Sequence, residues 1–166
     1  GPMKNGWIVV GCLLLTALLV SAADYTYIGA STCKMCHKGA SKGEVFEKWE
    51  KSPHAKAFAS LKAKGEEKNP KCLECHVTGF GAASGYKVGA ANAASFEGVQ
   101  CESCHGPGSA YKALSIMKDK KQSMANGLVE PNEALCRKCH NEKSPTFKGF
   151  NYPEAIKKID HKYRKS

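Results

Sequence analysis

Eight of the nine cysteines in this chain fall into four C-x-x-C-H runs. They are Cys33-Lys-Met-Cys36-His37, Cys72-Leu-Glu-Cys75-His76, Cys101-Glu-Ser-Cys104-His105 and Cys136-Arg-Lys-Cys139-His140. This spacing is the attachment pattern of a c-type haem. Two thiols three residues apart reach the vinyl groups along one porphyrin edge. The imidazole that follows is placed to become the proximal ligand of the iron. C-x-x-C pairs also build tetrahedral zinc sites, but a zinc ribbon does not require His after every second Cys, and here all four pairs have one. The sequence therefore calls for four covalently bound haem c groups.

Histidine arithmetic bounds the coordination. The chain holds six histidines: four in the C-x-x-C-H runs, plus His54 and His161. At most two irons can then have imidazole on both faces. The others must take methionine, another weak ligand, water or nothing. Met117 and Met124 are the candidate methionines, because Met35 lies inside the first run and is poorly placed to cap its own iron. Methionine opposite histidine raises a haem potential relative to two histidines, whereas a vacant face admits small ligands such as nitric oxide.

The elements that must carry these groups are short. Glu44–Glu50 reads as a helix with Phe46 and Trp49 on one side. Ser52-Pro53 reads as a fresh helix start, with Ser as N-cap and Pro in the first turn. On that helix His54, Phe58 and Leu61 would share a face. Residues 62–71 form a polar linker, and residues 79–98, rich in Gly, Ala and Ser, allow a small hairpin around Tyr86–Val88. A helix is expected within 109–124, another over 132–141 carrying the fourth run, and a terminal one opened by Pro153. In the last, Ile156, Ile159 and Tyr163 make a stripe that leaves His161 nearly opposite, among lysines. The expected fold is mainly α with low regular-structure content, short helices and loops wrapped around four haems, which supply the apolar bulk that the aliphatic side chains do not.

The N-terminal segment reads as a leader. Gly1-Pro2 ahead of Met3 looks like a cloning remnant. Lys4, the apolar run Trp7–Val20 and Ser21-Ala22-Ala23 have the three-part form of a secretory signal peptide. Residues 1–23 are thus set apart from a single domain over 24–166, and the expected location is periplasmic. Haem attachment after export agrees with this. The ninth cysteine, Cys12, lies in the apolar run; Val9-Val10-Gly11-Cys12 resembles a lipoprotein box with too little apolar sequence before it. A retained anchor is the weaker alternative, because the run is shorter than the roughly 20 residues of a spanning helix. The formal charge of +10 falls by one unit with loss of Lys4, and haem propionates would cancel most of the rest. No nucleic-acid motif accompanies the charge. The lysines suit steering toward acidic redox partners.

With these residues assembled, the chain resembles the tetrahaem cytochrome c-554 family. The likeness is carried by Ser52-Pro53-His54-Ala55-Lys56-Ala57, by Cys75-His76-Val77-Thr78-Gly79-Phe80-Gly81, by Gly98-Val99-Gln100-Cys101-Glu102-Ser103-Cys104-His105-Gly106-Pro107-Gly108 and by Asp160-His161-Lys162-Tyr163. The resemblance implies that His54 caps the fourth haem and His161 the third, that the haem of His76 is five-coordinate, and that haems pack in close pairs. It also implies an electron carrier rather than an enzyme, with a hydroxylamine oxidoreductase-like donor and a membrane or periplasmic acceptor. Relatives place a histidine shortly after Gly-Pro-Gly as distal ligand of the first haem. Residues 109–117 here contain none, so that haem is either methionine-capped or open. Two other readings remain: an enzyme or sensor acting on nitric oxide or related nitrogen compounds at an open iron, and a protomer of an extracellular haem filament.

Overall fold

The computed structural model describes residues 25–161; the expected leader over 1–23 and Tyr163 lie outside them. The helices are α1 (Ala30–His37), α2 (Val45–Glu50), α3 (Ala57–Lys62), α4 (Pro70–His76), α5 (Cys101–His105), α6 (Leu114–Met117), α7 (Lys120–Ala125), α8 (Glu133–Cys136) and α9 (Tyr152–Ile159), with 3₁₀ turns at Ala40–Lys42 and Ala93–Phe96. Among the described residues the sheet content is one isolated bridge, Val77 with Glu97. The expectation of a mainly helical fold poor in regular structure is met.

Helix ends follow local chemistry. Asn69, Asp119, Asn132 and Asn151 each accept a backbone N–H at the start of α4, α7, α8 and α9, which satisfies donors the helix itself leaves open. Proline follows the cap in α4 and α9, where its missing N–H costs nothing.

Several expected elements are corrected. Ser52-Pro53 does not start a helix. Residues 51–56 form turns, with Ser52 Oγ accepting from Ala55 N at 3.4 Å, and α3 begins at Ala57. His54 is therefore free of the Phe58/Leu61 face, whose side chains enter the core. No hairpin forms around Tyr86–Val88; Tyr86 N donates instead to Thr78 O at 3.0 Å. The expected helix within 109–124 is split into α6 and α7, because the Asp119 side chain caps the second piece. The helix of the fourth run stops at Cys136, and residues 137–139 continue as turn.

The apolar core is small: Phe58, Leu61, Leu73, Val77, Tyr86 and Phe96. Beside it lies a buried polar knot. Thr78 Oγ1 donates to Gly98 O, accepts from Gln100 N and contacts Ser103 Oγ, each at 2.9 Å. Gln100 Oε1 accepts from Ala30 N at 2.7 Å, while its amide donates to Ser95 O and Glu97 O. This knot ties the chain around the first, second and third C-x-x-C-H runs into one unit.

Candidate haem sites

Helical backbone sets the geometry of each run. Residues three apart lie on one side of a helix, so the two thiols of α1, α4 and α5 share a face. None of the eight cysteines of the runs is joined to another in a disulfide. The residue directly after the first cysteine turns away from that face and fixes the helix to the protein, by four different chemistries. Lys34 Nζ lies 4.8 Å from the centre of the Phe46 ring. Leu73 is fully buried in the apolar core. Arg137 pairs with Glu133 at 2.7 Å and covers the Phe150 ring at 5.4 Å.

Glu102 is the fourth. Its carboxylate is 2% exposed and accepts from Ile28 N (3.0 and 3.1 Å), Gly29 N (2.7 Å) and Gly108 N (2.7 Å). It thus fastens the segment entering α1 and the turn leaving α5 to the third run. Sequence reading missed this role. The available signal was position, since all four anchors occupy the same place in the repeat.

Thiols of different runs meet. Cys33 lies beside Cys101 and Cys75 beside Cys139; Cys104 and Cys136 are close enough to interact electrostatically. Contact with Cys33 and then burial push the Cys101 thiol up, and burial alone is the leading cause of the rise at Cys104 and Cys136. In space the runs therefore follow the order first, third, fourth, second.

The two histidines not in the runs each lie beside one that is. The His54 ring centre lies 5.9 Å from that of His140, and His161 lies 6.2 Å from His105. Two imidazoles on opposite faces of one metal ion have ring centres about 6 Å apart, given a metal–nitrogen bond of about 2 Å. The planes within each pair are crossed, at 65° and 86°, which rotation about a shared axis allows. His161 reaches its partner because α9 ends at Ile159 and Asp160 is extended (φ −61, ψ 117). The helical-face argument that put His161 in solvent fails at that break.

Three imidazoles are oriented by backbone carbonyls. His76 Nδ1 donates to Ala57 O at 2.7 Å, His105 Nδ1 to Val129 O at 3.3 Å and His161 Nδ1 to Ile159 O at 2.8 Å. A carbonyl can only accept, so Nδ1 carries the proton and Nε2 keeps its lone pair for a metal. Burial is the main influence holding His37, His54, His105 and His140 below their ordinary pKa. It favours the neutral, ligating form. Phe150 stacks on His140 at 4.7 Å and limits its tilt; the sequence reading did not foresee this.

Space matches the ligands. A largely apolar cavity of about 820 Å³ is lined by both cysteines and the histidine of the first run, by those of the third, and by His54, His161 and Met117. That volume is near the top of the roughly 300–1,000 Å³ range of ligand pockets. A second cleft, of about 480 Å³, is bounded by His76, Lys51, Pro53, Lys56, Ala57 and Ser60, with no second imidazole or thioether in its wall. Met124 does not line the large cavity and is 47% exposed. Among the described residues no three His, Cys, Asp or Glu side chains converge on one metal position, whereas structural zinc needs four ligands at a point. Paired thiols, opposed neutral imidazoles and an apolar cavity fit haem.

Comparison with known proteins agrees. The family described as "Cytochrome c554 and c-prime" matches residues 32–106. Cytochrome c-554 of Nitrosomonas europaea is 29% identical over 192 residues, covering 94% of this chain and 79% of the relative. The solved structure of reduced cytochrome c554 from Nitrosomonas europaea superposes with a TM-score of 0.59 at 28% identity, covering 84% of this chain and 80% of that one. Fold and site define a multihaem c-type cytochrome, an electron carrier with four covalently bound haem c groups. Over residues 32–106 the chain matches that family, and over most of its length it is similar to cytochrome c-554. Among the described residues no helix is long and apolar enough to cross a membrane.

Proposed function

We propose that this chain is an exported tetrahaem shuttle, with thioether bonds at Cys33/Cys36, Cys72/Cys75, Cys101/Cys104 and Cys136/Cys139 and proximal ligands His37, His76, His105 and His140. His54 completes the fourth haem and His161 the third. The observation that carries this reading is the pair of opposed imidazoles at one-iron spacing. When bound, the haems supply one-electron chemistry at iron. The protein's part is to hold the rings close together, keep the imidazoles neutral and exclude water from the shared cavity. Contacts between thiols of successive runs support a continuous path from the first haem through the third and fourth to the second.

The donor is a hydroxylamine oxidoreductase-like protein or another acidic redox protein, and the acceptor is periplasmic or membrane-bound. A second reading follows from the cleft at His76. With no second imidazole or thioether in that wall, a haem held by His76 would keep one face open to nitric oxide or a related nitrogen compound. Mass spectrometry of the mature protein should give a chain beginning near Asp24 and carrying four haems. Electron paramagnetic resonance of the oxidised form should show two low-spin haems with crossed imidazoles and a high-spin signal from the haem of His76 that changes with nitric oxide. Fewer than four haems ends the reading. Four low-spin irons with no ligand uptake end the second one.

A further inference from the structure

We propose that Met117 is the sixth ligand of the first haem, giving this cytochrome one histidine–methionine centre at an end of its haem array. The inference rests on the tetrahaem reading above. His54 and His161 are spent on His140 and His105, so the chain has no histidine left for the iron of His37. A thioether is the next ligand in kind: neutral, soft and an established axial partner of haem iron.

Of the three methionines in the described residues, position selects one. Met35 also borders the cavity, but it is two residues before His37 on α1, which places it on a different side of that helix, and it is 71% exposed. Met124 is also exposed and lies outside the cavity. Met117 is half-buried and lines the same cavity as His37. Its backbone is fixed on both sides. Met117 N donates to Ala113 O at 2.8 Å. Just before it, Ile116 O accepts from Ser123 Oγ, a side chain 1% exposed, at 2.8 Å. Ser123 thereby locks α6 against α7 and keeps the end of α6 at the cavity wall.

Ligation consists of a lone pair on Sδ donated to the iron. No proton is released, so the bond is insensitive to pH where imidazole ligation is not. Methionine raises a haem potential relative to histidine. The first haem, at one end of the order first–third–fourth–second, then has a higher potential than a bis-histidine centre in the same place would have.

The test uses the purified holoprotein. The oxidised wild type should show the weak far-red charge-transfer band of a ferric methionine–haem bond. The reduced form should show one methionine methyl proton resonance shifted far upfield by the porphyrin ring current. Both should vanish in Met117→Leu, with one additional high-spin iron, and persist in Met124→Leu. Met117→His should restore a low-spin iron, without the band and at a lower midpoint potential. Absence of both signatures from a four-haem wild type, their survival in Met117→Leu, or their loss in Met124→Leu overturns the assignment. A haem count below four overturns the reading beneath it. Should Met117→Leu fail to mature, the wild-type spectra, Met117→His and Met124→Leu still decide.

Discussion

Replacing Glu102 by Gln tests whether one buried carboxylate holds the first and third runs together. The native side chain accepts four contacts from three backbone N–H groups at 2.7–3.1 Å. A glutamine keeps one oxygen, able to serve Ile28 and Gly108, but turns an NH₂ donor toward the buried Gly29 N–H. A hydrogen bond to a charged group contributes about 1.5–3 kcal/mol, and a buried donor left unpaired costs about 1–3 kcal/mol. Allowing for relaxation, the expected loss is about 3 kcal/mol. For a chain of this size that lowers the thermal midpoint by roughly 6–12 °C. The assay is thermal unfolding of the holoprotein followed by circular dichroism. Glu74→Gln is the control, because Glu74 is exposed within the second run and such surface changes stay within about 0.5 kcal/mol. A Glu102→Gln midpoint within about 2 °C of wild type would refute the anchoring role.

Other outcomes follow from the same geometry. Gly98→Ala adds strain at φ +83 and a Cβ 2.6 Å from Ala55 O. Because Val99 N donates to His54 O at 2.9 Å, the variant should lose about 1–3 kcal/mol and broaden the low-spin resonance of the fourth haem; an unchanged spectrum and midpoint would count against the His54 clamp. His54→Ala and His161→Ala should each convert one low-spin iron to high-spin, and a variant with all low-spin signals intact would remove that residue from the ligand set. Tyr111, whose hydroxyl donates to Gly106 O at 2.6 Å, has its phenol pushed above the ordinary value of 10.0 by burial and then by the Glu102 carboxylate. Folded protein therefore holds this proton more tightly than unfolded protein. The stabilisation is complete below about pH 10 and is lost as pH rises beyond it. Tyr111→Phe should unfold less steeply between pH 10 and 12 in denaturant titrations, and an equal slope would remove Tyr111 from the cause.

The cofactor chemistry was legible because covalent attachment writes itself into local spacing: Cys36 and His37 are adjacent in chain and in space. The ligand count was legible too, since it needs only the number of histidines. The way in which distant residues meet was not. His54 was expected on a helix that in fact starts at Ala57. Periodicity alone put His161 in solvent, because that argument was carried past Ile159, where the backbone leaves the helix; only the family resemblance named it a ligand. Glu102 looked like any charged residue inside a run, as its partners lie 73 and 74 positions earlier. Tertiary hydrogen bonds of that range leave no periodic trace.

No described helix exceeds eight residues, well short of the roughly 12–15 at which isolated helices begin to persist in water. Before haem attachment, a polypeptide of this design has little order of its own to resist an attachment enzyme, so its thiols stay reachable until each is used. Final shape then arrives as a by-product of covalent maturation, and partly loaded chains become easy prey for proteases.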